Sequence, residues 1–359
     1  MSELTFSFYG RGGSLPIALL NDPILGKMCR ELLFNTRHGI KLTELREVVI
    51  KPEEVRSIIE VYASLGILVR EDDVIRPAIP ILSEEEKHPF MEHAMELSKV
   101  VKAYVMRHLE ELRRKFKLSS LPSQGFKWED IRFTLIAGML LDMSLFNALH
   151  ELKIVPPPPP RPDGGSWYLW CLQGGSGAKI QYGVHITRSS IGGFGAIWVK
   201  GVLRSMPRVY GDALRIAQAM ALSPKAVDEL VYELKLPREY IEKTLKEWIN
   251  HGIALQAGDR FKVLFPVLLP EDYNIVHKSI ERMSREVVDN ILRRYVSSLL
   301  RLKYRLGYAH VEDGSYLVMM FQAVKHFAVS GLVEEGILED PLKTSLPPRW
   351  GLWAWIVTH

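Results

Sequence analysis

Apolar residues fall at Val55, Ile58, Ile59, Tyr62 and Leu65, the i, i+3, i+4, i+7 spacing of one helix face, and the run stops at Gly66, a residue suited to a helix C-terminus. Upstream, Asp22-Pro23 offers an N-cap and a first-turn proline for a helix through about Phe34, and Lys41 to Val49 reads as a second helix. Downstream, period-two alternation takes over. It predicts a strand from Ile67 to Arg70, a turn at Glu71-Asp72-Asp73 and a strand from Val74 to Ile81. The same succession returns later: a helix over Gly211 to Leu222, a second capped by Ser223-Pro224 and ending near Leu234, and a third from Pro237 to Asn250 with Ile241, Leu245, Trp248 and Ile249 inward. Its hairpin runs Ile253 to Gln256, turns at Ala257-Gly258-Asp259 and continues from Arg260 to Val267.

After each hairpin the apolar period lengthens again. Ser83 to Lys117 carries Met91, Met95, Val101, Val105, Leu109 and Leu112 on one stripe, and Asp272 to Leu306 carries Ile280, Val287, Ile291, Val296, Leu299 and Leu306. Glu129 to Leu152 and Asp313 to Glu335 are strongly apolar helices, too interrupted to span a bilayer comfortably and expected to be buried. Proline runs then block helix: Pro156 to Pro160 with Pro162 in one place, Pro347-Pro348 in the other. An aromatic strand follows each, Trp167-Tyr168-Leu169-Trp170 and Trp350-Gly351-Leu352-Trp353. Between the two series, Gly174 to Gly177 suits a hinge, and Ala178 to Arg188 and Phe194 to Val202 alternate like strands.

These likenesses hold in register. Pro52, Gly66, Asp73 and Ile79-Pro80-Ile81-Leu82 are answered by Pro237, Gly252, Asp259 and Phe265-Pro266-Val267-Leu268 at a shift of 185 to 186; Glu129-Asp130 and the aromatic strand recur at a shift of 183. A unit of roughly 180 residues is therefore expected twice. The expected fold is mostly α (α+β), in four pieces: 1–82, 83–177, 178–270 and 271–359, alternately a helix-hairpin domain and a helical subdomain closed by its aromatic strand.

Three short helices followed by a two-stranded wing, with a glycine between the third helix and the wing, resemble a winged helix-turn-helix domain. The resemblance covers roughly Pro23 to Leu82 and Gly211 to Leu268. It implies a third helix that enters the major groove of double-stranded DNA, or a domain reused to bind proteins.

Charge bears on that choice. The net charge is +4 over 359 residues, and the excess lies in the second half: 23 Lys+Arg against 23 Asp+Glu up to Gly183, 23 against 19 beyond it. Such a balance permits an anionic partner without demanding one. On the third helix and wing of the second unit, Arg238, Lys243, Lys246, Asn250, Arg260 and Lys262 are the outward candidates for phosphate and base contact. The first unit offers Lys51, Arg56, Ser64, Arg70 and Arg76, but also Glu53, Glu54, Glu60 and an acidic wing tip that repels phosphate. A further basic face, Arg294, Ser298, Arg301 and Arg305, runs along one side of a long helix, with Arg107, Arg113, Arg114, Lys115 and Lys117 on the earlier one. Each of these sets reads equally as an ordinary solvated face.

Other chemistry finds little support. Cys29 and Cys171 form no paired spacing, which fits a reducing compartment, and no basic-then-apolar leader opens the chain; a cytoplasmic protein without membrane partner is expected. No GxxxxGK[ST], HExxH or GxSxG motif is present, so no catalysis, metal or cofactor is expected. Gly192-Gly193-Phe194-Gly195 reads as a flexible hairpin, His88, His93, His310 and His326 as ordinary surface or core residues, and the tryptophans as core rather than a ligand pocket. The functions left open are a DNA-binding transcription regulator built as a covalent pseudo-dimer, a protein-interaction scaffold, and an enzyme or small-molecule sensor using the aromatic interior.

Overall fold

A computed structural model describes residues 4–11, 32–41, 44, 59–202, 207, 209–343 and 346–357. In chain order its strands are β1 (Leu4–Arg11), β2 (Ile40–Lys41), β3 (Leu68–Glu71), β4 (Val74–Pro77), β5 (Ile81–Leu82), β6 (Ser166–Gln173), β7 (Tyr182–Ser189), β8 (Gly192–Val199), β9 (Lys225–Ala226), β10 (Ala254–Ala257), β11 (Arg260–Val263), β12 (Val267–Leu268) and β13 (Leu352–Ile356). Its helices are α1 (Glu84–Leu118), α2 (Trp128–Glu151), α3 (Asp212–Ala219), α4 (Val227–Leu234), α5 (Arg238–Asn250), α6 (Lys278–Val287), α7 (Arg293–Arg305) and α8 (Asp313–Glu334), with further helical residues at 32–35, 44 and 59–64, and at 270–277 and 288–292, which make the helix continuous through α6 and α7. About half of the protein is helix and a fifth strand, so it is a mixed α/β protein with several small sheets. Two compact units share the chain: 1–98, 150–178 and 292–324 in the first; 99–149, 179–291 and 325–359 in the second. This interleaving differs from the four consecutive pieces that the sequence suggests.

In the first unit β4 lies between β2 and β3, and β6 lies between β1 and β5. The turn between β3 and β4 puts Asp72 at φ 53°, a left-handed conformation that Asp tolerates. Leu32, Leu33, Tyr62, Leu65, Ile67, Ile75, Ile81 and Trp167 form one core. Ser83 and Glu86 cap α1 reciprocally, the Ser83 amide donating to the Glu86 carboxylate at 2.8 Å and the Glu86 amide to the Ser83 hydroxyl at 3.3 Å. Glu86 also takes His38 Nε2 at 2.7 Å and the Tyr308 hydroxyl at 3.1 Å. Burial, with Glu86 beside it, raises the Tyr308 pKa well above its usual range.

In the second unit β11 lies between β9 and β10, and a larger sheet runs β12-β13-β8-β7. Its core joins the inward faces of α3, α4 and α5, including Leu214, Leu230, Ile241, Leu245 and Trp248, to Phe265, Val267 and Leu352. α2 is widened into π turns over Thr134–Ser144, and two carbonyls of that stretch, Ala137 and Leu140, accept from the Tyr182 hydroxyl at 3.0 Å and the Ser284 hydroxyl at 2.9 Å. Asp142, within the same stretch, forms an ion pair with Lys325 of α8, whose side chain is wholly buried. α2 and α8 are long and apolar enough to cross a membrane by length and composition; 89% and 83% of their apolar windows are buried in the protein.

His326 follows Lys325, and its Nε2–H donates to the Tyr182 carbonyl at 2.8 Å. Burial first, and the Lys325 charge second, hold its pKa down at about 3. The unfolded chain protonates this histidine near pH 6.5 while the folded protein does not, so the unfolded state binds more protons between those values. Stability should therefore be complete above about pH 6.5 and fall by roughly 1 kcal/mol per pH unit below it. Urea midpoints at pH 7 and pH 5 test this: His326→Gln should lose less on acidification than the parent, and equal losses would exclude His326 as the cause.

Several sequence expectations need correction. Lys41 lies in β2 rather than opening a helix, while most of the segments expected as the first three helices, including Asp22 to Glu31 and Pro52 to Ile58, lies outside the described residues. Ser223-Pro224 does not cap α4: β9 intervenes, and the Glu229 carboxylate caps the helix by accepting from the Ala226 amide at 2.7 Å. Neither wing keeps its second strand whole. Proline interrupts both, since Pro80 and Pro266 lack the amide a ladder needs. Each instead offers its carbonyl, to the Cys171 amide and the Ala354 amide, both at 2.9 Å. Beyond these points β5 and β12 pair in parallel with β6 and β13. The glycine-rich segment is no loose hairpin: Gly193 and Gly195 lie in β8, paired with Trp355 and Trp353 of β13, and a Cβ on either would collide with the facing indole.

Candidate nucleic-acid interface

α5 starts after Pro237, turns Ile241, Thr244, Leu245 and Trp248 inward, and ends where Gly252 adopts φ +65°. A side chain at Gly252 would meet both that backbone preference and Pro348, 2.8 Å from where its Cβ would stand. This orientation leaves Lys243, Lys246 and Asn250 exposed, together with Glu239, Glu242 and Glu247. Neither lysine has a carboxylate partner among the described residues, so both charges are available to an anion.

The flanking cations are differently placed. Arg238 pairs with Asp228 of α4 and with Glu242, the latter at 3.2 Å. Arg260 on β11 reaches Glu229 at 2.9 Å and the Pro224 carbonyl at 2.9 Å. The Ala226 amide, aided by Arg260, holds the Glu229 carboxyl below the usual carboxylate range. Lys262 is half-buried and lines a cleft of about 490 Å³ with Gln124, Phe126, Arg349 and Trp350. Of the six residues expected on this surface, three present free polar groups outward.

The first unit presents less. Lys51 and Arg56 lie outside the described residues. Arg76 is paired with Glu71, Arg70 donates to the Asp72 carbonyl at 3.2 Å, and the Ser64 hydroxyl turns back to the Val61 carbonyl at 2.7 Å. Of the acids at this turn, Glu71 thus meets Arg76 through its carboxylate, a pairing that alternation along a strand does not reveal.

On α7, Leu299 and Leu302 are buried while Arg294, Arg301 and Arg305 are exposed without a carboxylate partner among the described residues. The Ser298 hydroxyl donates to the Tyr295 carbonyl at 2.7 Å and is not free for a ligand. On α1, Arg113 reaches Glu110 at 3.6 Å, and Arg107, Arg114 and Lys117 are exposed. Sequence periodicity passed over Tyr232 and Leu255, 78% and 54% exposed on α4 and β10. Their type marked them as core, and only the fold shows them outside. Among the described residues no group of three or more metal-ligating side chains comes together.

No protein-family model matches the chain, and no match is found to a curated protein or to a solved structure.

Proposed function

We propose that the chain is a cytoplasmic DNA-binding regulator made of two covalently joined winged helix-turn-helix halves, in which the second carries the specific contact. The succession α3-β9-α4-α5-β10-β11, with β9 and β10 flanking β11, supports the winged-helix reading. A duplication is supported by the first unit, where β2 and β3 flank β4 in the same way, and by the matched parallel pairs of β5 with β6 and β12 with β13. The observation that carries the functional reading is the outward set Lys243, Lys246 and Asn250 on α5, two cations without a carboxylate partner among the described residues beside an amide able to address a base edge.

Lys243→Glu/Lys246→Glu should weaken binding to a random 20-base-pair duplex by roughly tenfold or more in 50 mM salt, followed by fluorescence anisotropy. The native protein should bind with strong salt dependence. Absence of native binding at low salt would refute the reading. One observation favours a protein partner instead: Arg238 and Arg260 are already neutralised by acids, and Tyr232 and Leu255 stand exposed nearby in sequence. Under that second reading the duplex titration stays flat.

A further inference from the structure

One basic segment of the chain is not used by the winged-helix reading. From Asn290 to Val311 there is no carboxylate, while Arg293, Arg294, Arg301, Lys303 and Arg305 fall within the run. Folding sorts these cations. Lys303 is drawn inside and paired with Asp313 at 2.5 Å, and Arg293 donates to the Leu152 carbonyl at 3.5 Å. Arg294, Arg301 and Arg305 remain exposed and without an acidic partner among the described residues. Their spacing of seven and then four residues keeps them within about 40° of one another around the helix. Tyr295 and Tyr304 are exposed on the same helix, 40% and 55%.

We propose that this face of α7 is a docking surface for the phosphate backbone of duplex DNA, supplying affinity that does not depend on sequence. Charge complementarity selects the occupant. The three guanidinium groups span about 16 Å at 1.5 Å per residue, a length over which a duplex presents roughly ten phosphate charges. Guanidinium forks match phosphate oxygens in pairs, and no carboxylate among the described residues competes for these three. The Ser298 hydroxyl donates within its own helix, and although arginine can also address guanine, three forks spread along about 16 Å of one helix face match the repeating charge of the backbone. It therefore positions rather than specifies. The proposal rests on the duplex-binding part of the function proposed above, but not on α5.

The full-length protein is titrated with a random 20-base-pair duplex from 50 to 200 mM salt, comparing Arg294→Gln/Arg301→Gln/Arg305→Gln, the matching Arg→Lys triple, and Lys243→Gln/Lys246→Gln. Three lost phosphate contacts should lower the slope of log affinity against log salt by about 2.7 and weaken binding to every sequence alike. The Lys triple should retain most of the slope, which separates charge from any local damage. An unchanged slope in the Gln triple overturns the proposal, even if the Lys243/Lys246 variant loses binding and the α5 reading stands. The converse result, loss only in the Arg→Gln triple, upholds the α7 surface and refutes the α5 reading. Salt-sensitive binding to vesicles of phosphatidylserine and phosphatidylcholine through these arginines, with none to the duplex, overturns it in favour of a lipid surface.

Discussion

Lys325→Met alone should cost the protein about 3–5 kcal/mol, measured as the shift in urea unfolding. The Lys325 ammonium lies inside the second unit, paired with Asp142 and 4.5 Å from the centre of the Tyr182 ring. Removing it leaves a carboxylate in an apolar helix with no counter-charge. Burial already raises the Asp142 pKa and lowers the Lys325 pKa, and in each case desolvation outweighs the attraction of the partner. The pair is thus costly to hold as well as costly to break. Asp142→Leu/Lys325→Met should accordingly recover most of the loss and lie near the parent in stability. A double variant as damaged as the single one would mean that the pair contributes through more than mutual neutralisation.

Trp353→Ala should be comparably damaging, at about 3–5 kcal/mol, because the ring is 1% exposed and fills the space above a strand made narrow for it. Gly195 is its direct partner across the sheet, and Gly138 of α2 would place a Cβ 3.2 Å from the same indole. Gly195→Val should cost about 1–3 kcal/mol by overpacking. Combined with Trp353→Ala, it should cost less than the sum of the two, since the valine then enters room the indole has left. Calorimetric melts of the single and double variants measure this coupling; strict additivity would show that the glycine serves something other than the tryptophan.

Local pattern foretold local structure well. α1, α2, α8, the β3–β4 and β10–β11 hairpins and both aromatic strands stand close to where apolar spacing places them, because helix and hairpin contacts join residues a few positions apart. What pattern could not show is pairing across distance. Ile81 meets Cys171 in parallel, and Asp142 meets Lys325, yet nothing near either residue announces its partner. The two-residue strands β2 and β9 are too short to carry a period. The candidate interface divides in the same way. Spacing along one helix identified the exposure of Lys243, Lys246 and Asn250, whereas the neutralisation of Arg238 and Arg260 depends on Asp228 and Glu229, carboxylates of a neighbouring helix.

The first unit gathers 1–98, 150–178 and 292–324, so its last segment is made long after its first. At a synthesis rate of roughly 5–20 residues per second, a ribosome spends about 10–45 s between the end of the first segment and that of the third. Both sheets of this unit are made by residue 173, but a nascent chain stopped near Gly183 still lacks Tyr308, which donates to the Ile81 carbonyl, and Tyr316, which packs edge-on against Phe90. The order in which the chain emerges thus leaves the surface that 292–324 later covers open to chaperones through that interval.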